Sequence, residues 1–123
     1  MKQVKALRGA TQCLNEAQDI MLQVSGLYDE LLCNNNLTEA DLISLTFSVT
    51  KDINAKNPAA ALRQSGRGAE TALFTVQEAE FVGSLERVVR VLIHCYLEED
   101  LVPCHVYRNG AEALRPDRVK PSV

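Results

Sequence analysis

Two stretches of the chain alternate apolar and polar residues with a period of two. Over residues 42–50, Ile43, Leu45, Phe47 and Val49 fall on one side and Ser44, Thr46, Ser48 and Thr50 on the other, the signature of a strand with one face against a core. Over residues 87–97, Val89, Val91, Ile93, Cys95 and Leu97 form a wholly apolar face, while Val88, Arg90, Leu92, His94 and Tyr96 form a mixed one. Shorter runs predict a first strand at 4–8, closed by Gly9, and another at 71–76 that brings Gln77 and Glu78 to its end.

Helical spacing is equally plain. Ala17, Ile20, Met21, Val24, Leu27, Tyr28 and Leu31 recur every three or four residues, which predicts an amphipathic helix from an Asn15 N-cap to about Cys33. Three asparagines at 34–36 suit the left-handed backbone at its end. Thr38 and Asp41 bracket a short turn. Asn57 before Pro58 opens a short helix to Gln64, stopped by Gly66 and Gly68. Asn109-Gly110 between 104–108 and 111–115 predicts a hairpin with a type I′ turn. Periodicity ends at Pro116, and 118–123 is expected as a mobile tail. The order implies an α+β fold (an α/β sandwich): a mixed β-sheet with one long and one or two short helices.

Composition narrows the class. A chain of 123 residues, 46% hydrophobic, is the size of one domain, expected over 1–117. So small a domain leaves much surface exposed, and another subunit can complete a long apolar strand. A net charge of −3 argues against nucleic acid. No apolar run reaches membrane-spanning length and the first residues lack a signal-peptide core, so a cytoplasmic protein without membrane partners is expected. Cys13, Cys33, Cys95 and Cys104 show no CxxC spacing and are expected as free thiols.

Candidate chemistry follows from what the strands carry. His94-Cys95 and Cys104-His105 offer soft ligands, but neighbours on a strand point to opposite faces, so one zinc ion could collect only one from each pair. No nucleophile motif frames any cysteine. The coherent set is Arg8, Arg63, Arg90 and Arg115 with Tyr107 and Glu78. Arginine outnumbers lysine eight to five, and its planar fork suits carboxylates. Alone, Arg8 and Arg63 read as solvated side chains. Arg90, between Val88 and Leu92 on a half-apolar face, needs an internal carboxylate or an anionic ligand.

Five short motifs in register resemble one family. Leu7-Arg-Gly-Ala-Thr11, Pro58-Ala-x-Ala-Leu-Arg63, Gln77-Glu78 followed by Arg90-Val91, His105-Val-Tyr107 and Leu114-Arg-Pro-Asp117 are similar to the monofunctional chorismate mutases of the trimeric pseudo-α/β-barrel class. The resemblance implies a homotrimer with active sites between subunits, converting chorismate to prephenate in phenylalanine and tyrosine biosynthesis without cofactor or metal. It implies Arg90, Glu78 and Arg8 as the catalytic set: Arg90 on the ether oxygen, Glu78 on the ring hydroxyl and Arg8 on a carboxylate. Arg63, Thr75, Tyr107, Leu114 and Arg115 complete the substrate-binding positions. Arg90 and Glu78 are then expected to address substrate from different sides of a subunit cleft instead of pairing internally. The chain departs from the family at Asn57, Ala60 and Thr75, where an aromatic residue, a lysine and a cysteine are common; Thr75 keeps a hydroxyl. The competing reading is a trimeric small-metabolite binding protein or imine-hydrolysing enzyme of similar architecture.

Overall fold

The computed structural model describes residues 1–118. Along the chain lie β1 (Lys2–Gln12), α1 (Ala17–Asn34), β2 (Leu42–Val49), α2 (Pro58–Gln64), β3 (Ala72–Gln77), β4 (Val88–Glu98) and β5 (Val106–Arg108). The described strands form one sheet in the order β3-β2-β4-β1-β5. β4 runs antiparallel to both β1 and β2, while β3 is parallel to β2 and β5 to β1. This is an α+β fold with a mixed sheet, one long helix and one short. Among the described residues no helix is long and apolar enough to cross a membrane.

Both helices cover the same side of the sheet. Leu7, Leu45, Phe47, Val89, Val91 and Ile93 join Ile20, Val24, Leu27, Leu31 and Leu62 in one core. The apolar face of β4 is buried throughout, from Val89 to Leu97, as the alternation requires. Ile43 is the exception on β2. The pairing register shifts between Leu42 and Ser44, and the extra residue of that bulge is turned out and 37% exposed.

Local sequence explains the elements and three departures from expectation. Asn57 caps α2 as its position before Pro58 implies, accepting the Ala59 N–H at 2.9 Å. Gly9, in contrast, does not close β1. A Cβ there would lie 2.8 Å from Leu31 Cδ1 and 3.2 Å from the Val106 carbonyl oxygen, so glycine serves a close approach of helix and neighbouring strand. Asn15 does not cap α1. Glu16 takes that place, and Asn15 Oδ1 instead accepts the N–H groups of Asn54 and Ala55, both at 2.9 Å, tying the helix start to the loop before α2.

The third departure is the expected hairpin. Asn109 and Gly110 do adopt positive φ, 53° and 101°, but residues 111–114 form a 3-10 helix and β5 pairs in parallel with β1. Ala, Glu and Leu favour helix over strand. Ala111 is also buried against Ala10 and Val88, a contact that an outgoing strand would give up. The tail expected at 118–123 lies outside the described residues apart from Arg118, which ends a last 3-10 turn.

Because Gly9 stands where α1 and β5 close on β1, Gly9→Val should overpack the seam and cost about 1–3 kcal/mol. Urea denaturation will read this as a lower midpoint at unchanged slope, and an unaltered midpoint would refute the close-approach role.

Candidate active site

Paired residues of a sheet point to the same face, so the register can be read as rows. One row runs Tyr107, Ala10, Arg90, Ser48, Val76 across β5, β1, β4, β2 and β3. The next runs Arg8, Leu92, Thr46, Phe74. Both rows lie on the face opposite the helices. On this face lies a cleft of about 300 Å³ lined by Arg8, Gly9, Thr46, Ser48, Arg90, Val91, Leu92, Tyr107 and Arg115; Ala10 is covered by Ala111 and Tyr107 and does not line it.

Glu78 stands at the edge of this cleft, on the way to a smaller hollow of about 110 Å³ that it lines with Thr50, Asp52 and Ser84. Its backbone N–H continues the β2 pairing by donating to the Val49 carbonyl at 2.8 Å. Glu78 Oε1 lies 2.8 Å from Arg90 Nε and accepts the Ser48 hydroxyl at 3.1 Å. This overturns the expectation that Arg90 and Glu78 stand apart on different sides of a cleft: within one chain they are an ion pair. Nor is Arg90 buried, since nearly half of its side chain is exposed on the open face. So wet a pair adds little to stability; its effect is to orient the guanidinium.

The three cleft arginines differ in their partners. Arg115 donates from Nε and Nη2 to the two carboxylate oxygens of Asp117, at 3.1 and 2.9 Å. The hydrogen bond to Asp117 is the main reason that its guanidinium holds its proton more firmly than usual. Arg8 has no carboxylate partner among the described residues. Its backbone is fixed instead, by an N–H donated to His105 Nδ1 at 2.9 Å, which locks β1 to the segment leading into β5. A chain of net charge −3 thus gathers three guanidinium groups in one cleft, one of them without a carboxylate among the described residues and suited to an anion.

Arg8, Arg90, Tyr107 and Arg115 therefore come together, with Glu78 at their edge. Leu114 does not reach the cleft; it packs behind it against Ala10, Val88 and Ala111. Arg63 and Thr75 lie elsewhere. Arg63 is exposed in the last turn of α2, and Thr75 points to the helix side, donating its hydroxyl to Asn57 Oδ1 at 2.9 Å. Ser48 and Thr46 were not anticipated. Their signal was the all-hydroxyl face of β2, which suits solvent, a subunit contact or a wet interior equally until β4 is placed beside it.

Comparison with known proteins decides among the readings of the chain as a whole. Residues 4–118 match the family described as Chorismate mutase type I. The chain belongs to that family. It is similar to the Chorismate mutase AroH of Thermus thermophilus, 33% identical over 118 residues that cover 93% of this chain and 95% of the relative. The Chorismate mutase AroH of Bacillus subtilis (strain 168) is 26% identical over 117 residues, 93% of this chain and 91% of the relative. A solved structure, a chorismate mutase from Clostridium thermocellum, shares 40% identity and a TM-score of 0.80, covering 89% of this chain and 98% of that one. Membership among the chorismate mutases does not favour a binding protein or an imine hydrolase.

Two of the four cysteines, Cys13 and Cys95, are buried. Burial pushes the Cys13 thiol up to about 11, reinforced by the carboxylates of Asp19 and Asp52 and opposed by Arg87, and burial also raises Cys95. Cys95 faces the core while His94 lies on the open face. Among the described residues no group of three His, Cys, Asp or Glu could hold a metal ion. Near neutral pH a thiol reagent should modify exposed Cys33 first and spare Cys13 and Cys95 until the protein unfolds. Mass spectrometry of the labelled peptides checks this, and early labelling of Cys13 would contradict the burial argument.

Proposed function

We propose that the cleft bounded by Arg8, Arg90, Tyr107 and Arg115 is where this chain rearranges chorismate to prephenate. As a type I chorismate mutase it is an isomerase of aromatic amino acid biosynthesis. The observation that carries the placement is the register row that sets Arg90 in the cleft, one row from an Arg8 that lacks a described carboxylate partner. In the reaction an ether C–O bond opens while a C–C bond forms within the same molecule. No nucleophile or proton transfer is needed. The flexible substrate must be held compactly, and the negative charge growing on the ether oxygen must meet a fixed donor.

Arg90 suits that oxygen. Glu78 holds its Nε, and since a guanidinium has five N–H donors, the ion pair fixes its plane and leaves the terminal nitrogens for substrate. A preorganised donor of this kind contributes about 3 to 4 kcal/mol. Substrate organisation adds several more, enough together for an acceleration on the order of a millionfold. Arg8 takes a carboxylate, Tyr107 seats the substrate from the β5 side, and Glu78 accepts the ring hydroxyl on its other oxygen. Arg115 stands at the mouth, and Leu114 supports it from behind.

Arg63 and Thr75 lie away from the cleft of their own chain, and we assign them to the cleft of a neighbouring copy in a homotrimer whose sheets pack as a pseudo-α/β barrel. The open face of the sheet supports this: Val4, Phe74, Val76, Leu92 and Tyr96 are all exposed, apolar side chains of the kind that a subunit interface covers. Asn57 and Ala60 would then stand at the entrance of that neighbouring cleft. Residues 1–117 read as one domain, and a reducing cytoplasm suits four free thiols.

Incubating the protein with chorismate should yield prephenate. Arg90→Ala should lower kcat by several orders of magnitude while the mass in solution stays three times that of the chain. A variant with more than about a tenth of wild-type kcat would end the assignment of Arg90, and a monomeric wild type would end the shared cleft. With no proton transferred in the rate-determining step, kcat should be nearly flat between about pH 6 and 9; a bell-shaped profile would point to acid–base chemistry instead.

A further inference from the structure

Glu78 opens the loop that joins β3 to β4, Arg90 lies just beyond that loop in β4, and the way the loop re-enters the sheet is unusual. Arg87, the last residue before β4, has φ of 50°. A non-glycine residue seldom takes this left-handed conformation unless its surroundings impose it. The surroundings here are specific. The Arg87 N–H donates to both oxygens of the Asp52 carboxylate, at 3.1 and 3.0 Å. The Arg87 carbonyl accepts the Cys13 N–H at 3.0 Å, so the residue is gripped on both of its peptide groups, by the end of β1 and by the segment after β2.

Thr50 connects this grip to the start of β4. Its hydroxyl donates to Asp52 Oδ1 at 2.5 Å and accepts the Val88 N–H at 3.0 Å, while its own N–H donates to the Val88 carbonyl at 3.1 Å. At this point a side chain stands in for the backbone acceptor that the β2–β4 pairing would otherwise supply. Arg90 is two residues further on, on the same face as Val88. A carboxylate is the fitting residue at 52, because it can accept one backbone N–H on two oxygens and a hydroxyl as well.

We infer that Asp52 is a positioning residue of the mutase reaction: by holding Arg87 in its left-handed conformation, with Thr50 as the link, it sets where β4 begins and so where Arg90 meets Glu78 and the substrate. The inference rests on the assignment of Arg90 to the reacting oxygen. A small displacement of a group that must meet one oxygen atom is costly to rate, whereas a purely structural contact would be felt in stability alone.

The test is a double-mutant cycle in the full-length protein at a temperature where every variant is folded. Asp52→Ala should lower kcat by about tenfold or more with KM within about threefold of wild type. Asp52→Asn, which keeps an acceptor for the Arg87 N–H and can donate to Thr50, should recover most of the loss. Glycine takes positive φ freely, so Arg87→Gly alone should stay near wild-type activity, and Asp52→Ala added to it should lose no more than about twofold. Hydrogen exchange provides a readout apart from activity: the amides of Arg87 and Val88 should exchange faster in Asp52→Ala than in the wild type, with the α1 amides unchanged. An Asp52→Ala variant of lower melting temperature but intact kcat would overturn the inference, as would an equal loss of kcat in the wild-type and Arg87→Gly backgrounds. If the wild type itself converts no chorismate, the assignment of Arg90 fails first, and unchanged exchange at Arg87 and Val88 would then dispose of the clamp separately.

Discussion

The antiparallel pairing of β4 between β1 and β2 is the constraint from which the rest of the molecule follows. β4 is the only described strand that runs against its neighbours, so β1 and β2 lie parallel to each other across it. The chain must therefore make a crossover between them, and α1 is that crossover. β2 and β3, parallel in turn, require a second one, which α2 supplies. With both crossovers on one side, the fold divides into a buried apolar face and an open mixed face. The cleft that gathers the arginines opens on the second.

On that open face, hydrogen-bond register takes the place of burial in fixing side chains. Arg90 is held by its row between Ala10 and Ser48 and by Glu78, while Arg115 is held by Asp117 and Arg8 through its backbone by His105. Two guanidinium groups are thereby oriented before any ligand arrives, and the third is anchored at its backbone. For a reaction whose catalytic demand is electrostatic, with no bond formed to the protein, this preparation is what distinguishes a site from a basic patch.

The legible parts of the sequence were those where local chemistry and tertiary environment agree. The alternation of Val89 to Leu97 shows a buried face because β4 is covered along its length, and Asn57-Pro58 marks a helix start because its cap is satisfied within three residues. Gly9 misleads because a glycine needed for close packing looks the same as one needed for a turn. Asn109-Gly110 misleads differently: its positive φ values are a local property, but the partner of residues 106–108 is β1, about a hundred residues earlier in the chain. An internal carboxylate for Arg90 was one of two open readings, and sequence could not choose it, since Glu78 and Arg90 meet across β2, which lies between their strands and comes much earlier in sequence. The family resemblance singled out both residues, yet it could not indicate that they touch within one chain.

The two ends of the β3–β4 loop are pinned independently, Glu78 by the Val49 carbonyl and Arg87 by Asp52 and Cys13. The residues between them are thus relieved of setting the geometry of the site. Doubling the length of a flexible loop costs only about 0.6 kcal/mol, so the span from 79 to 86 is a place where chain length can drift at little expense. Within β4 the opposite holds. One residue added between Val88 and Arg90 would turn the guanidinium from the cleft into the helix-side core, so the strand carries a strict parity that the loop does not.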